Sequence, residues 1–246
     1  MNPITPSQIR RARRLVDELE REIQPSVKKV GNGPFARGIL NGKFPIEGIR
    51  FYVEQTYHLV MNDMGNLSIY VSKARNEEEI DYFLFMTVAE KLMLDSLYLL
   101  IDAVGLRRTE LARSSPALSI AHRTNYFSKL AITGLPGEIA LAILLNFPVW
   151  AVGARRVSKG LKKHYGLGRP VNDKGLLDTD VLDRFSRATK GSKERALRII
   201  AADLTNEDSV RKMRMIGRLA VEYEAMVWEN YYSEGLIRAG TARTAP

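Results

Sequence analysis

Four side chains with hydrogen-bonding or acid–base chemistry lie close together in an apolar stretch of the sequence, at positions 52, 56, 57 and 58. Tyr52 and Thr56 are four residues apart, so on a helix they share one face and can line one pocket. Tyr57 lies about 140° around the helix axis from Tyr52 and points elsewhere. His58 carries an imidazole that titrates near neutral pH, which suits acid–base catalysis or ligand contact. The alternative for His58 is a core or interface residue.

A carboxylate near the end of the chain has a similar setting. Glu224 is close to Met226, Val227 and Trp228, and burial among such side chains raises the pKa of a carboxyl group unless it has a partner. A general acid or base needs this environment. The alternative is that Glu224 pairs with a basic residue such as Arg218 or faces solvent.

Helices must position these residues, because apolar side chains recur at helical spacing and no alternating strand pattern is present. Thr5, Pro6 and Ser7 open a first helix that ends before Pro25, and a capping box of Thr205 and Asp208 precedes the last one. The predicted helices cover residues 34–40, 44–73, 77–104, 116–130, 135–165 (kinked near Pro148), 180–189, 192–204 and 210–237, with a loop at 166–178. Long helices and short loops predict an all-α antiparallel bundle, which places ligand sites between helices.

The composition limits the alternatives further. The 246 residues, 45% of them hydrophobic, fit one domain over residues 1–239, followed by a flexible tail over 240–246. The chain has no cysteine, which excludes disulfides, thiolate metal sites and a cysteine nucleophile. The apolar run 139–152 is too short to span a membrane, and the charged N-terminal helix does not resemble a signal peptide. We therefore expect a cytoplasmic protein without a membrane partner.

Basic residues exceed acidic ones by 37 − 28 = 9, and no acid occurs between Glu138 and Asp173. Within this gap Arg155, Arg156, Lys159, Lys162 and Lys163 form a basic face on one helix. Such a face can attract phosphate-rich partners, or it can be an ordinary solvated surface. We do not expect nucleic acid as a partner.

Several motifs resemble those of the TenA and PqqC families, which share a haem-oxygenase-like fold. They are GPFARGILNG at 33–42, FYVEQTYH at 51–58, AVGL at 103–106, GLKKHYGL at 160–167 and the final Tyr223-Glu224 before Trp228-Glu229. Their order and spacing cover most of residues 33–230. The resemblance implies a haem-oxygenase-like helical bundle.

Some family functions do not carry over to this sequence. The resemblance places Thr56 where TenA proteins have an aspartate that recognises a pyrimidine ring. It also places the TenA catalytic cysteine near Asn146, and this chain has no cysteine. Glu224 is the counterpart of the TenA carboxylate. A hydrolytic thiaminase is therefore not expected.

The dimetal oxidases of the same superfamily need histidine and carboxylate ligands from three helices. This chain has three histidines, at 58, 122 and 164. The family ligand motif aligns here with residues that are neither histidine nor carboxylate: Phe185, Ala188, Ser192 and Arg195. Near another ligand position, Glu90 is the lone acid. Asp203 lies close to the motif in sequence. We expect neither a metal nor another cofactor.

PqqC-like enzymes oxidise a polycyclic substrate in a closed pocket without a metal or organic cofactor. By this resemblance His58 and Glu224 are the candidate catalytic residues, and the candidate ligand-binding residues are Tyr52, Thr56, Tyr57, Lys91, Arg155 and Tyr223. The leading hypothesis is a PqqC- or TenA-like protein that encloses a small aromatic or heterocyclic molecule, as a metal-independent oxidoreductase in biosynthesis. The alternative is a non-catalytic ligand-binding or protein-interaction relative. A homo-oligomer is expected.

Overall fold

A computed structural model describes residues 4–171 and 175–244, and side chains as far as residue 240. The described residues form a helical bundle without a β-strand, apart from an isolated bridge between Pro170 and Leu177. The helices are α1 (Pro6–Glu22), α2 (Gln24–Gly31), α3 (Pro34–Leu40), α4 (Ile46–Lys73), α5 (Glu77–Ala103), α6 (Arg108–Leu111), α7 (Leu118–Thr133), α8 (Pro136–His164), α9 (Asp180–Asp183), α10 (Ser192–Asp203) and α11 (Glu207–Thr244). The predicted all-α class is confirmed.

Local sequence signals set several helix ends. At the start of α1 the Thr5 side chain accepts from the Gln8 amide and the Gln8 side chain accepts from the Thr5 amide, which is a capping box. At the start of α5 the Asn76 side chain accepts from the Glu79 amide. Three glutamates follow in the first turn of α5, where the helix macrodipole favours negative charge.

Four local predictions need correction. The chain becomes helical again at Gln24, because a proline in the first turn of a helix costs no hydrogen bond. The helix α6 was not predicted, and α9 ends at Asp183 rather than at Thr189. The cap of α11 uses Asn206, not Thr205, since the Asn206 side chain accepts from the Ser209 amide.

The long helices α4, α8 and α11 form the centre of the bundle. The helix α8 packs against α2, α3, α10 and α11, and α4 packs against α5, α7 and α11. Close approach of α8 to its neighbours depends on glycine. A Cβ at Gly153 would lie 2.3 Å from the Trp228 ring, and one at Gly160 would lie 2.5 Å from the Ile39 carbonyl oxygen. These contacts hold α11 and α3 against α8.

The helix α8 is long and apolar enough to cross a membrane by length and composition, but 61% of its most apolar stretch is buried inside the bundle. A core helix has the same property, and the interior position of α8 agrees with the predicted buried helix.

At the other end of the chain, α11 continues to Thr244, past Gly240, where the sequence predicts a tail. Residues 245–246 and part of the predicted loop 166–178 lie outside the described residues.

Candidate functional site between five helices

The carboxylate of Glu224 lies in the centre of the bundle. Glu224 is 1% exposed, and its Oε1 accepts a hydrogen bond of 2.9 Å from Trp228 Nε1 one turn later on α11. With its amide nitrogen turned toward α11, Asn146 donates to Glu224 Oε2 and to the Ala220 carbonyl oxygen, each at 3.2 Å. Burial raises the pKa of Glu224, and Arg123, Trp228 and Asn146 oppose this rise.

Arg123 on α7 supplies the positive charge of the site. Its Nε lies 3.5 Å from Glu224 Oε2, and its Nη1 donates to Asp63 Oδ1 at 2.6 Å. The guanidinium also covers the Phe127 ring, 4.3 Å from the ring centroid. Burial alone would lower the pKa of Arg123, but the charges of Asp63 and Glu224 outweigh it, and the pKa is raised. Arg123 is therefore a permanent buried cation.

A third carboxylate belongs to the same group. Glu90 on α5 and Asp63 on α4 are both half-buried. Desolvation and the charge of Asp63 raise the pKa of Glu90 to about 8, although Arg123 opposes the rise. A carboxyl group with this pKa holds its proton near neutral pH and can donate or accept it, as a general acid or base does.

We call Asp63, Glu90, Arg123, Asn146 and Glu224 the polar cluster. Its members come from α4, α5, α7, α8 and α11 in that order. The cluster runs from half-buried Asp63 and Glu90 inward to fully buried Glu224. Two carboxylates therefore pair with one guanidinium in an apolar bundle, and the charges of that group reach a third carboxyl, Glu90.

Two of the predicted ligand-binding residues line the inner end of the cluster. Tyr52 is 1% exposed, and its ring packs edge-on against Tyr231 with centroids 4.9 Å apart. Its hydroxyl has no hydrogen-bond partner among the described residues. Burial mainly, and the Glu224 charge in addition, raise the pKa of Tyr52. Thr56 is buried as well, and its hydroxyl donates to the Tyr52 carbonyl oxygen at 2.8 Å.

His58 and Tyr57 lie on another side of α4. His58 Nε2 is 2.9 Å from Ser114 Oγ, and burial lowers the pKa of His58 against the opposing charge of Glu54. The Tyr57 ring lies near His58 and 6.4 Å from the Tyr98 ring. The structure therefore groups His58 with Tyr57 and Ser114 rather than with Glu224.

The other three predicted ligand-binding residues lie apart from the cluster. Lys91 is on the surface of α5 and pairs with Asp95 at 2.5 Å. Arg155 is on the surface of α8 and donates to the Ser186 carbonyl oxygen at 2.6 Å. Tyr223 is half-buried, with its ring centroid 5.0 Å from that of Tyr126. The alternative that Glu224 pairs with a basic residue is confirmed, but the partner is Arg123, because Arg218 bonds Glu22.

Sequence reasoning missed Asp63, Arg123 and Asn146 as site residues and did not connect Glu90 with Glu224. A signal was present for Arg123, which shares the buried face of α7 with Ile120 and Phe127 at three- and four-residue spacing. A charged residue on an apolar face requires a partner. The sequence alone did not show which helix would supply that partner.

Two concave regions on the surface of the described residues can be compared with the polar cluster. One of about 330 Å³ lies between α8 and the segment after α9, and one of about 460 Å³ involves Arg11 and Leu204. Neither is lined by a residue of the polar cluster. No group of three or more histidine, aspartate or glutamate side chains suited to a metal ion is found in the described part of the chain.

Comparisons with known proteins agree with this architecture. The profile of the TENA/THI-4/PQQC family matches residues 20–234. A TenA homologue from P. horikoshii OT3 is 19% identical, with 90% of this chain and 99% of that chain covered and a TM-score of 0.69. A haem-oxygenase-like domain of unknown function from Shewanella denitrificans is 15% identical, with coverages of 89% and 92% and a TM-score of 0.68.

A putative TenA-like thiaminase from Sulfolobus solfataricus is 14% identical, with coverages of 89% and 96% and a TM-score of 0.63. Identities this low establish a shared fold and nothing about substrate. No curated protein matches the chain. The family profile nevertheless covers most of the sequence, so the chain belongs to the TENA/THI-4/PQQC family and has its all-α, haem-oxygenase-like fold.

Proposed function

We propose that this protein binds a small aromatic heterocycle that carries a positive charge or an amino group, and that Glu90 exchanges a proton with it. The observation that carries the proposal is the excess of carboxylates in the polar cluster, where the ionised Asp63 and Glu224 share the cation Arg123 and the charges of Asp63 and Arg123 act on Glu90. A cationic or N–H-donating ligand would neutralise this excess.

Two buried polar atoms that have no hydrogen-bond partner among the described residues support the proposal. Tyr52 Oη and Arg123 Nε are both buried near Glu224. A buried polar group without a partner costs about 1–3 kcal/mol, and a polar ligand atom would recover part of this cost. The aromatic rings of Tyr52, Trp228 and Tyr231 surround the same region and suit a planar ligand.

The chemistry proposed for this site uses neither a metal nor an organic cofactor. Glu90 is the acid–base group, because burial and the charge of Asp63 raise the pKa of this group to about 8. An oxidation would pass two electrons and two protons from the substrate to dioxygen, which leaves as hydrogen peroxide, and the ionised form of Glu90, which predominates above a pH of about 8, would accept the first substrate proton. Thiaminase cleavage through a cysteine is not proposed, since the chain has no cysteine.

A panel of probes tests the proposed ligand class. Isothermal titration calorimetry would compare thiamin and 4-amino-2-methylpyrimidine with 2-methylpyrimidine, which lacks the amino group. We expect the first two to bind more tightly than the third. Equal affinity for all three, or no binding of any, would contradict the proposal. Chromatography of the thiamin sample should show no cleavage products.

A second candidate is a non-catalytic relative, and one observation favours it. Arg123 already occupies the place next to Glu224, and Asn146 completes the hydrogen bonding of that carboxylate. In such a protein the cluster would only stabilise the fold. A folded protein that binds none of the cationic probes would favour this candidate over the enzyme.

We also propose that the protein is a homo-oligomer that uses one face of α5. Ile80, Leu84, Val88 and Leu92 recur at four-residue spacing along this helix and are between 39% and 59% exposed. An apolar stripe along one face of a helix normally packs against a neighbouring element. A second copy that presents the same stripe about a twofold axis would cover it, because such an interface is self-complementary.

A further inference from the structure

The cleft of about 330 Å³ lies on the opposite side of α8 from the interior contacts of that helix. Its walls are the polar face of α8 and the segment 183–187 after α9. The lining residues are four cations, one acid and two serines: Arg155, Lys159, Lys162 and Arg187, then Asp183, and Ser158 with Ser186. The cleft shares no residue with the polar cluster.

The acid in this cleft is fully engaged by its neighbours. Asp183 Oδ1 accepts from Ser158 at 2.7 Å, and Oδ2 accepts from Lys162 at 2.6 Å and from Thr179 at 3.1 Å. Lys162 and these hydrogen bonds lower the pKa of Asp183 in spite of its partial burial, so it stays ionised and paired. The Asp183–Lys162 pair contributes no net charge to the cleft.

Three further cations remain. Arg155 Nη1 donates to the Ser186 carbonyl oxygen at 2.6 Å, which fixes the guanidinium while most of its five N–H donors stay available. Lys159 and Arg187 form no ion pair with any other described residue. Two guanidinium groups and an ammonium group therefore converge on one small concave surface.

We propose that this cleft binds a phosphate group of a small phosphorylated molecule. Guanidinium groups recognise phosphate oxygens through paired N–H donors, and lysine adds a point charge. The hydroxyl hydrogens of Ser158 and Ser186 are already donated to Asp183, so the cations provide the recognition. The volume is at the lower end of small-molecule pockets and fits a phosphate or diphosphate ester with a small organic part.

The test is isothermal titration calorimetry of the full-length protein with inorganic phosphate and with pyrophosphate at constant ionic strength. The test variant is Lys159→Ala/Arg187→Ala. The matched control, Lys43→Ala/Arg14→Ala, loses the same two charges from exposed positions on other parts of the surface. We expect the test variant to lose at least about tenfold in affinity for pyrophosphate, and the control to lose less than about twofold.

The melting temperatures of both variants should equal that of the wild type, since the substituted side chains are exposed. Equal losses of affinity in test and control variants would overturn the proposal, because binding would then follow net charge alone. Saturable binding to duplex DNA or to anionic vesicles without binding of pyrophosphate would also overturn it, and would assign the cleft to a macromolecular or membrane surface instead.

Discussion

Arg123 and Glu224 face each other inside the bundle, with Arg123 Nε 3.5 Å from Glu224 Oε2 and side chains that are 6% and 1% exposed. Two charges removed from water persist in such a position only when further hydrogen bonds support them. Asp63, Trp228 and Asn146 supply that support. Glu224 is therefore engaged by a cation of this chain's own.

Removal of that cation should destabilise the fold strongly. Arg123→Met keeps much of the side-chain volume but leaves Glu224 and Asp63 without their common partner. We expect a loss of about 3–5 kcal/mol in the free energy of unfolding, the range for broken buried ion pairs. Urea denaturation at pH 7 measures it. The double variant Arg123→Met/Glu224→Gln should recover part of the loss, whereas strict additivity of the two single changes would contradict the pairing.

The raised pKa of Glu90 predicts a pH dependence of stability. The unfolded carboxyl ionises above its ordinary pKa of 4.5, while the folded one keeps its proton up to a pH of about 8. Between these values the unfolded state binds fewer protons, so the stability contributed by Glu90 falls as pH rises. We expect Glu90→Gln to gain stability relative to the wild type between pH 5 and pH 8.

Asp63, Arg123 and Glu224 also face this region, and the substitution at Glu90 leaves them in place. Urea denaturation across the pH range gives the difference between the two proteins at each pH. A constant difference from pH 5 to pH 8 would show that Glu90 ionises normally in the folded protein.

Two helical glycines form a matched pair for a packing prediction. A Cβ at Gly153 would lie 2.3 Å from the Trp228 ring, whereas one at Gly65 would meet nothing within 4 Å. Gly153→Ala should therefore cost about 1–3 kcal/mol through overpacking. Gly65→Ala should stabilise the protein by about 0.5–1 kcal/mol, because alanine is the better helix former. Thermal unfolding of both variants measures this, and equal effects would refute the close approach of α8 and α11.

The apolar stripe on α5 predicts self-association. We expect the wild type to sediment as a dimer or a larger species, and Leu84→Glu/Val88→Glu to sediment as a monomer, since charges would be buried in the interface. Met215→Glu/Ile132→Glu changes two other exposed apolar side chains and should leave the assembly intact. A monomeric wild type at micromolar concentration in sedimentation velocity would contradict the proposed interface.

Local signals in the sequence were sufficient for most of the fold. The capping box of Thr5 and Gln8, the bounds of α3 and the start of α5 depend on contacts within a few residues, and helical spacing reveals such contacts. The short helix α9 was predicted too long because its sequence pattern is helical as far as Thr189, but the chain turns after Asp183 to pack against α8.

The site was harder to predict, because its contacts join distant parts of the chain. Sequence reasoning identified the inner residues Tyr52, Thr56 and Glu224, all of which are buried near one another. It did not find that Arg123 bridges Asp63 and Glu224, since these three residues are separated by 60 and about 100 positions. Only packing of α4, α7 and α11 shows that they meet.

The most direct test of the proposed binding site is the affinity of thiamin for two isosteric variants. Asp63→Asn removes a negative charge from the polar cluster, and Asp95→Asn removes one from the exposed surface of α5, where Asp95 pairs with Lys91. Isothermal titration calorimetry should give at least about tenfold weaker binding for Asp63→Asn and wild-type affinity for Asp95→Asn. Equal affinity of the two variants for thiamin would contradict a cation site at Asp63, Glu90 and Arg123.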